Sequence, residues 1–417
     1  MDTVMQNSGL LDIPLDRLDV SQHHLFRTGE VLPLFARLRR EDPVHYCAQS
    51  QNGPYWSVTK HEDIMKVDTN PKVFSSSWEN GGIVLDDAQA IPPVKDFVIS
   101  AFIALDEPRH GVYRRAVQPI VSADSLRSLE DLVRTRTKKV LDSLPRDQVF
   151  NWVDLVSIEL TTLLLATLFD VPVEDRHLLR EWSDVTATLE GMDGFIGHEN
   201  RIAKLTECLH YFMKLWNDRV NAPPKFDLVS MLAHDPNTRN MTPIDYLSQI
   251  LVLIVGGNDT TRNTMSATIN AINLFPDEYR KVREDRKLIP AMVDEIIRWQ
   301  TPIPHMRRTA LEDFQLRGKL IRKGDKVAMW YYSGNRDEEV FPDGDSVNVN
   351  RPNVSRQLSF GFGIHRCMGM NIAKLQLRIL WEEMLDRFEF IEMLKPPVRT
   401  MSNQINGYTE VMVRIRG

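Results

Sequence analysis

The chain has 417 residues and a formal net charge of −6, from 51 Lys and Arg against 57 Asp and Glu. That length supports a large core, in one big domain or two to three small ones, and the scattering of both signs speaks against a nucleic-acid or anionic-membrane surface as the main partner. Three cysteines, Cys47, Cys208 and Cys367, lie far apart without the C-x-x-C spacing of a metal clip, which speaks against a disulfide framework.

The opening run MDTVMQNSGLLDIPLDRLDVSQ is broken by polar and acidic side chains and matches neither a secretory signal nor a span of about 20 apolar residues. A soluble cytoplasmic protein without a membrane anchor is expected. A helical pattern over 32–40 stops at Glu41-Asp42-Pro43, and VHYCA and YWSV, from Val44 and Tyr55, read as strands. From Ser125 to about Ile296 helical spacing dominates, over 126–144, 153–169, 202–220 and 246–275. Strand signals return at 326–330 and 411–415, with a helix over 368–388 between them. Turn-rich stretches at 79–82, 191–197 and 337–355 are too short and unbiased for interdomain linkers, and the first two suit loops over a pocket. The expectation is a mainly α fold with small β-sheets, one domain over 1–417.

Three local patterns carry chemistry. In SFGFGIHRCMG, from Ser359 to Gly369, glycines at alternate positions let main chain approach a flat group closely, and Cys367 stands where a helix begins. Amides and the dipole at a helix start stabilise a thiolate, and a shielded thiolate suits a haem iron because its electron density favours O–O cleavage. Cys47 and Cys208, in a strand-like and a helical pattern, read as small buried hydrophobes. In IVGGNDTT, from Ile254, two glycines, an acid and two hydroxyls interrupt an apolar helix; glycine costs about 1 kcal/mol relative to alanine there, so a bulge or widened turn is expected, for close packing or for a groove. Glu295 and Arg298, three apart, share a helix face and can pair.

Phe360, Gly361, Gly363, His365, Cys367 and Gly369 match the cysteine-ligand signature of cytochromes P-450, and the chain resembles that family. The resemblance implies the P-450 fold, with a helix-rich and a smaller sheet-containing lobe, and a monooxygenase that uses haem b (iron protoporphyrin IX) and dioxygen. It makes Cys367 the axial iron ligand, with Gly256, Phe360 and Gly361 beside the cofactor. Asp259 and Thr260 become a proton relay, and His110, Arg114, Arg308 and His365 propionate partners. Glu295, Arg298 and Arg351 become a structural network, although Val347 stands where an aromatic residue is usual. Arg307, Arg109 and Arg115 read as solvated or partner-facing charges.

No dinucleotide fingerprint is present, so electrons are expected from a separate ferredoxin and its reductase, docking on Arg109, Arg115, Arg366 and Lys374. FARLRREDPVHYC, GPYWSV, IVGGNDTTRN, HMRRTA, KVAMWYYSGNRDE and LQLRILWEE are similar to the bacterial alkane and fatty-acid terminal hydroxylase group. That similarity implies a small hydrophobic substrate hydroxylated at or near a chain end, in a pocket drawn from Ile83, Val84, Leu85, Leu189, Val252, Val255, Ile303 and Met306. Asp86 and Asp87 would repel a carboxylate at the entrance. A terpenoid hydroxylase, a peroxygenase and a non-catalytic haem-binding sensor are the alternatives.

Overall fold

A computed structural model describes residues 9–87 and 100–416. Its longest helix, Pro243–Leu274, shows why these sequences form these elements. The Thr242 hydroxyl accepts the Asp245 N–H at 3.2 Å, Pro243 sits in the first turn where a missing N–H is harmless, and Pro276 blocks continuation. Glu159–Phe169, Arg176–Ala187, His198–Val220, Ile289–Gln300 and Met370–Arg387 pack against it. Tyr246 to Ile254 belong to one apolar core with Phe169, Trp182 and Phe212; Met265 to Ile272 belong to another with Trp152 and Trp381. The stretch between, which holds the Gly-Gly and Asp-Thr pairs, therefore lies between two cores rather than within either.

The helices expected from apolar spacing appear as Val31–Glu41, Ala123–Asp142, His198–Val220, Pro243–Leu274 and Met370–Arg387. The pattern over 153–169 instead opens as a wide π-helical turn, Val153–Ile158, before the α-helix Glu159–Phe169. Arg176–Ala187 adds a helix to those anticipated. The smaller lobe carries a five-stranded sheet in the order Val44–Cys47, Tyr55–Val58, Lys326–Met329, Met306–Ala310, Phe74–Ser75, in which the second and third strands pair in parallel. Cys47 and Cys208 are buried. No helix among the described residues is long and apolar enough to cross a membrane.

A buried ionic network fixes the segment leading to Cys367. Glu295 and Arg298 have no exposed side-chain surface and pair through two contacts of 2.8 Å, and Arg351 Nε reaches Glu295 at 2.9 Å. The rest of the Arg298 guanidinium donates to the carbonyls of Asn335 at 2.7 Å, Gly344 at 2.8 Å and Ser346 at 2.9 Å. Asn335 passes the constraint on: its Nδ2 donates to Ser359 Oγ at 2.9 Å and its Oδ1 accepts the Leu358 N–H at 2.6 Å. Ser359 Oγ in turn donates to the Ile297 carbonyl at 2.8 Å. The Ile289–Gln300 helix is thereby tied to the start of the cysteine loop. Val347, in the aromatic residue's place, is itself buried in the adjoining core.

Removing one partner of a buried ion pair strands the other charge, at about 3–5 kcal/mol. Glu295→Ala should lose stability of that order in urea unfolding, and a loss below about 1 kcal/mol would contradict the network's role.

Candidate functional site

The cysteine loop is shaped by its own backbone. The Cys367 N–H donates to the Phe360 carbonyl at 2.7 Å, and Gly361 and Gly363 take φ of +63° and +65°. At Gly363 a Cβ would stand 2.6 Å from the Asp68 carbonyl oxygen, so both conformation and space demand glycine. Cys367 lies on the wall of a cavity of about 340 Å³, and its accessible surface faces that space although the residue is deep in the protein. The Met370–Arg387 helix begins three residues later. Hydrogen bonds from Gly369 and Met370 N–H and the charge of Arg114 lower the Cys367 pKa, but burial outweighs them and the thiol is pushed up overall. The helix start thus favours a thiolate without securing one, and a cation bound at Sγ would deprotonate the thiol.

Beside the cysteine, the cavity wall is cationic. Arg114 donates to the Arg366 carbonyl at 2.7 Å, and Arg308 pairs with Asp68 at 2.8 Å. Between these charges His365 is pushed down to about 2, by burial first and then by Arg308, His110 and Arg114, so the ring is neutral. Both its nitrogens are buried without a hydrogen-bond partner. Two arginines and an unsatisfied imidazole beside a cysteine fit a flat metal-bearing group with carboxylates at its edge.

His110 does not share that wall. Its Nδ1 and Nε2 lie 2.9 and 3.0 Å from the Phe102 and Ile364 carbonyls, and its ring packs 4.2 Å from His365, so the expected propionate contact becomes support for the loop. Asp68, which no sequence pattern singled out, is buried there, accepting from Arg308, from Tyr331 Oη at 3.0 Å and from the Phe362 N–H at 2.8 Å.

On the long helix the two glycines serve different ends. Both line the cavity, but alanine at Gly257 would meet Leu165 Cδ2 at 2.7 Å, so this position is close packing, whereas Gly256 has nothing within 4 Å. The α-helix runs continuously through the pair, without the expected bulge or widened turn, and the Thr260 hydroxyl, on the cavity wall, donates to the Gly256 carbonyl at 2.8 Å. Asp259 is turned away, buried, 2.5 Å from Arg262 and 3.2 Å from Ser183 Oγ, while Arg262 reaches Asp184 at 2.9 Å. Arg262, three residues on from Asp259, was detectable by the spacing that marks Glu295 and Arg298.

Of the expected pocket residues, Ile83, Val84, Leu189, Val252, Val255, Ile303 and Met306 line the cavity, as do Phe360 and Gly361. Leu85 does not: it turns into the core formed by Phe26, Phe35 and Trp330. Arg307 is buried rather than solvated, 2.6 Å from Asp87, which Lys326 also contacts, so Asp87 is neutralised and held below the usual carboxylate range. Arg109, Arg115 and Arg366 are exposed; Lys374 is held by Asp294 at 2.6 Å.

A site that calls for a metal opposite a sulfur and for carboxylates opposite arginines is that of a haem-thiolate enzyme. The chain belongs to the cytochrome P450 family of haem-dependent monooxygenases: the family model Cytochrome P450 matches residues 198–409. Linalool 8-monooxygenase of Pseudomonas putida is 33% identical over 96% of this chain and 99% of its own. Among solved structures, CYP153D17 from Sphingomonas sp. PAMC 26605 is 44% identical with a TM-score of 0.91, over 97% of this chain and 100% of that one. Cytochrome P450-153 from Novosphingobium aromaticivorans is 41% identical with a TM-score of 0.89, over 95% and 99%.

Burial raises the Asp259 pKa to about 6, Asp184 adding and Arg262 and Ser183 opposing. The stability its protonated form contributes is therefore full in acid and lost as pH rises through about 6. A protonated-carboxyl infrared band should titrate near that pH and be absent in Asp259→Asn. In Arg262→Met the midpoint should rise, and a fall would contradict the opposing role of Arg262.

Proposed function

We propose that this chain binds haem b through Cys367 and hydroxylates the end of an aliphatic chain, an alkane or a fatty acid, with electrons from a ferredoxin and its reductase in the cytoplasm. The observation that carries this reading is the apolar wall of Ile83, Val84, Leu189, Val252, Val255, Ile303 and Met306 in the same cavity as Cys367 and Thr260. The likeness to the two solved P450-153 proteins supports it. A second reading, hydroxylation of a small terpenoid, is favoured by the relative named linalool 8-monooxygenase.

Haem held by a thiolate supplies the redox chemistry that activates dioxygen and inserts one oxygen atom into a C–H bond. The chain's residues do the rest. Arg114, Arg308 and His365 hold the propionates, and His110 and Asp68 hold His365 and Arg308 in turn. Apolar side chains exclude water and restrain the substrate, which is how a methyl group is chosen over methylenes whose C–H bonds are weaker. Thr260 Oγ1 exchanges its bond to the Gly256 carbonyl for one that holds a proton in the cavity. Asp259 stores the proton that refills it and must first turn from Arg262. Arg109, Arg115 and Arg366 offer a positive surface to an acidic donor protein.

Titration of the ferric protein with alkanes of graded length should give a spin-state shift with an optimum chain length, and reduced ferredoxin should then yield the terminal alcohol. A response independent of length, or product from hydrogen peroxide without ferredoxin, would contradict the reading. Thr260→Ala should lower product per electron pair severalfold while electron consumption continues; unchanged yield would remove Thr260 from the proton path.

A further inference from the structure

Among the described residues that line the cavity, two carry a buried side-chain nitrogen or oxygen without a hydrogen-bond partner: His365 and Gln404. His365 lies with Arg114 and Arg308 and is accounted for by haem carboxylates. Gln404 is not.

The backbone around Gln404 is fixed on both sides. The Asn403 N–H donates to His23 Nδ1 at 3.1 Å, its Nδ2 donates to the Ser21 carbonyl at 2.6 Å, and its own carbonyl lies 2.9 Å from His305 Nδ1. Ser402 Oγ accepts the N–H groups of Gln404 and Ile405 at 3.0 and 2.9 Å. Gln404 itself is on a wall that also holds Ile303, Met306, Leu189 and Ile405.

No described residue pairs with the Gln404 side-chain oxygen. The hydroxyls of Thr186, Thr260 and Thr264 each donate to a helix carbonyl, at 2.6, 2.8 and 2.8 Å. The cations among the described lining residues are Arg114 and Arg308, both beside His365. A buried, unsatisfied amide oxygen costs free energy until a donor meets it, and a donor on the substrate recovers that cost. A hydroxyl can donate to Oε1 and accept from Nε2, whereas a carboxylate can only accept from Nε2 and, like a bare alkane, leaves the oxygen stranded.

We infer that Gln404 is a specificity-determining residue whose amide accepts a hydrogen bond from a hydroxyl, so that the preferred substrate is an uncharged aliphatic alcohol rather than an alkane or a fatty-acid anion. This rests on the proposed reading of the cavity as a site for aliphatic chains, and it narrows that reading to one class.

The test compares the haem-loaded protein with Gln404→Met, of similar volume, by spectral titration with decane, decyl alcohol and decanoic acid. Taking the ratio of alkane to alcohol dissociation constants within each protein cancels the hydration of the ligands. The ratio should fall about tenfold in Gln404→Met, the value of one hydrogen bond to a buried group, with decanoic acid binding the unaltered protein more weakly than decyl alcohol. If Gln404→Met fails to retain haem, Gln404→Asn, one methylene shorter, should show the same fall. Spectral shifts with all three ligands and a ratio changed less than about twofold would overturn the role of Gln404 alone. No shift with any of them in a protein whose carbon-monoxide spectrum is that of a thiolate would overturn the aliphatic reading, and this inference with it.

Discussion

Everything at the cysteine depends on one buried guanidinium. Arg298 is held by Glu295 at 2.8 Å and places its remaining donors on three carbonyls of the Asn335 to Ser346 segment. Without that charge, the Asn335 and Gly344 carbonyls would lose their side-chain donor and Glu295 would be left with Arg351 and the Asn348 N–H, so helix and meander cannot slide independently. Asn335 and Ser359 carry the register to Phe360, whose carbonyl accepts the Cys367 N–H. The sulfur is thus located by polar contacts several residues away, which leaves the cavity side of the loop free for a ligand.

The cavity's walls are electrostatically uneven. Around His365, burial and then the neighbouring arginines push the imidazole pKa down, and burial pushes the nearby thiol up. The same environment accepts anionic carboxylates and a cationic metal together, because each offsets what makes the other costly. The long helix, pinned by a core at each end, leaves its Gly256 to Thr264 stretch facing open space, where small and hydroxyl side chains do not fill the room a substrate needs.

Sequence revealed what is local. The loop from Ser359 to Gly369, the Glu295 and Arg298 pair and the Gly-Gly-Asn-Asp-Thr run are each contiguous, so residue type and spacing carry their chemistry. It did not reveal contacts assembled from afar: Asp68 meets Arg308, Tyr331 and Phe362 from three other segments, and its own surroundings signal nothing. One departure follows from strand alternation, which sends neighbouring side chains to opposite faces: Met306 and Arg308 face the cavity while Arg307 points away to Asp87. Leu85, in a bend rather than a strand, leaves Ile83 and Val84 for the core formed with Phe26, Phe35 and Trp330. Gln404 stayed invisible because a lone glutamine has meaning only once the cavity around it is known.

Ligation by the Cys367 thiolate is the claim on which the reading of the site turns. The most direct measurement is the carbon-monoxide difference spectrum of the reduced protein beside that of Cys367→His. The wild type should give the long-wavelength Soret band of thiolate ligation and the variant the shorter-wavelength band of imidazole ligation. Identical spectra in the two folded proteins would contradict it.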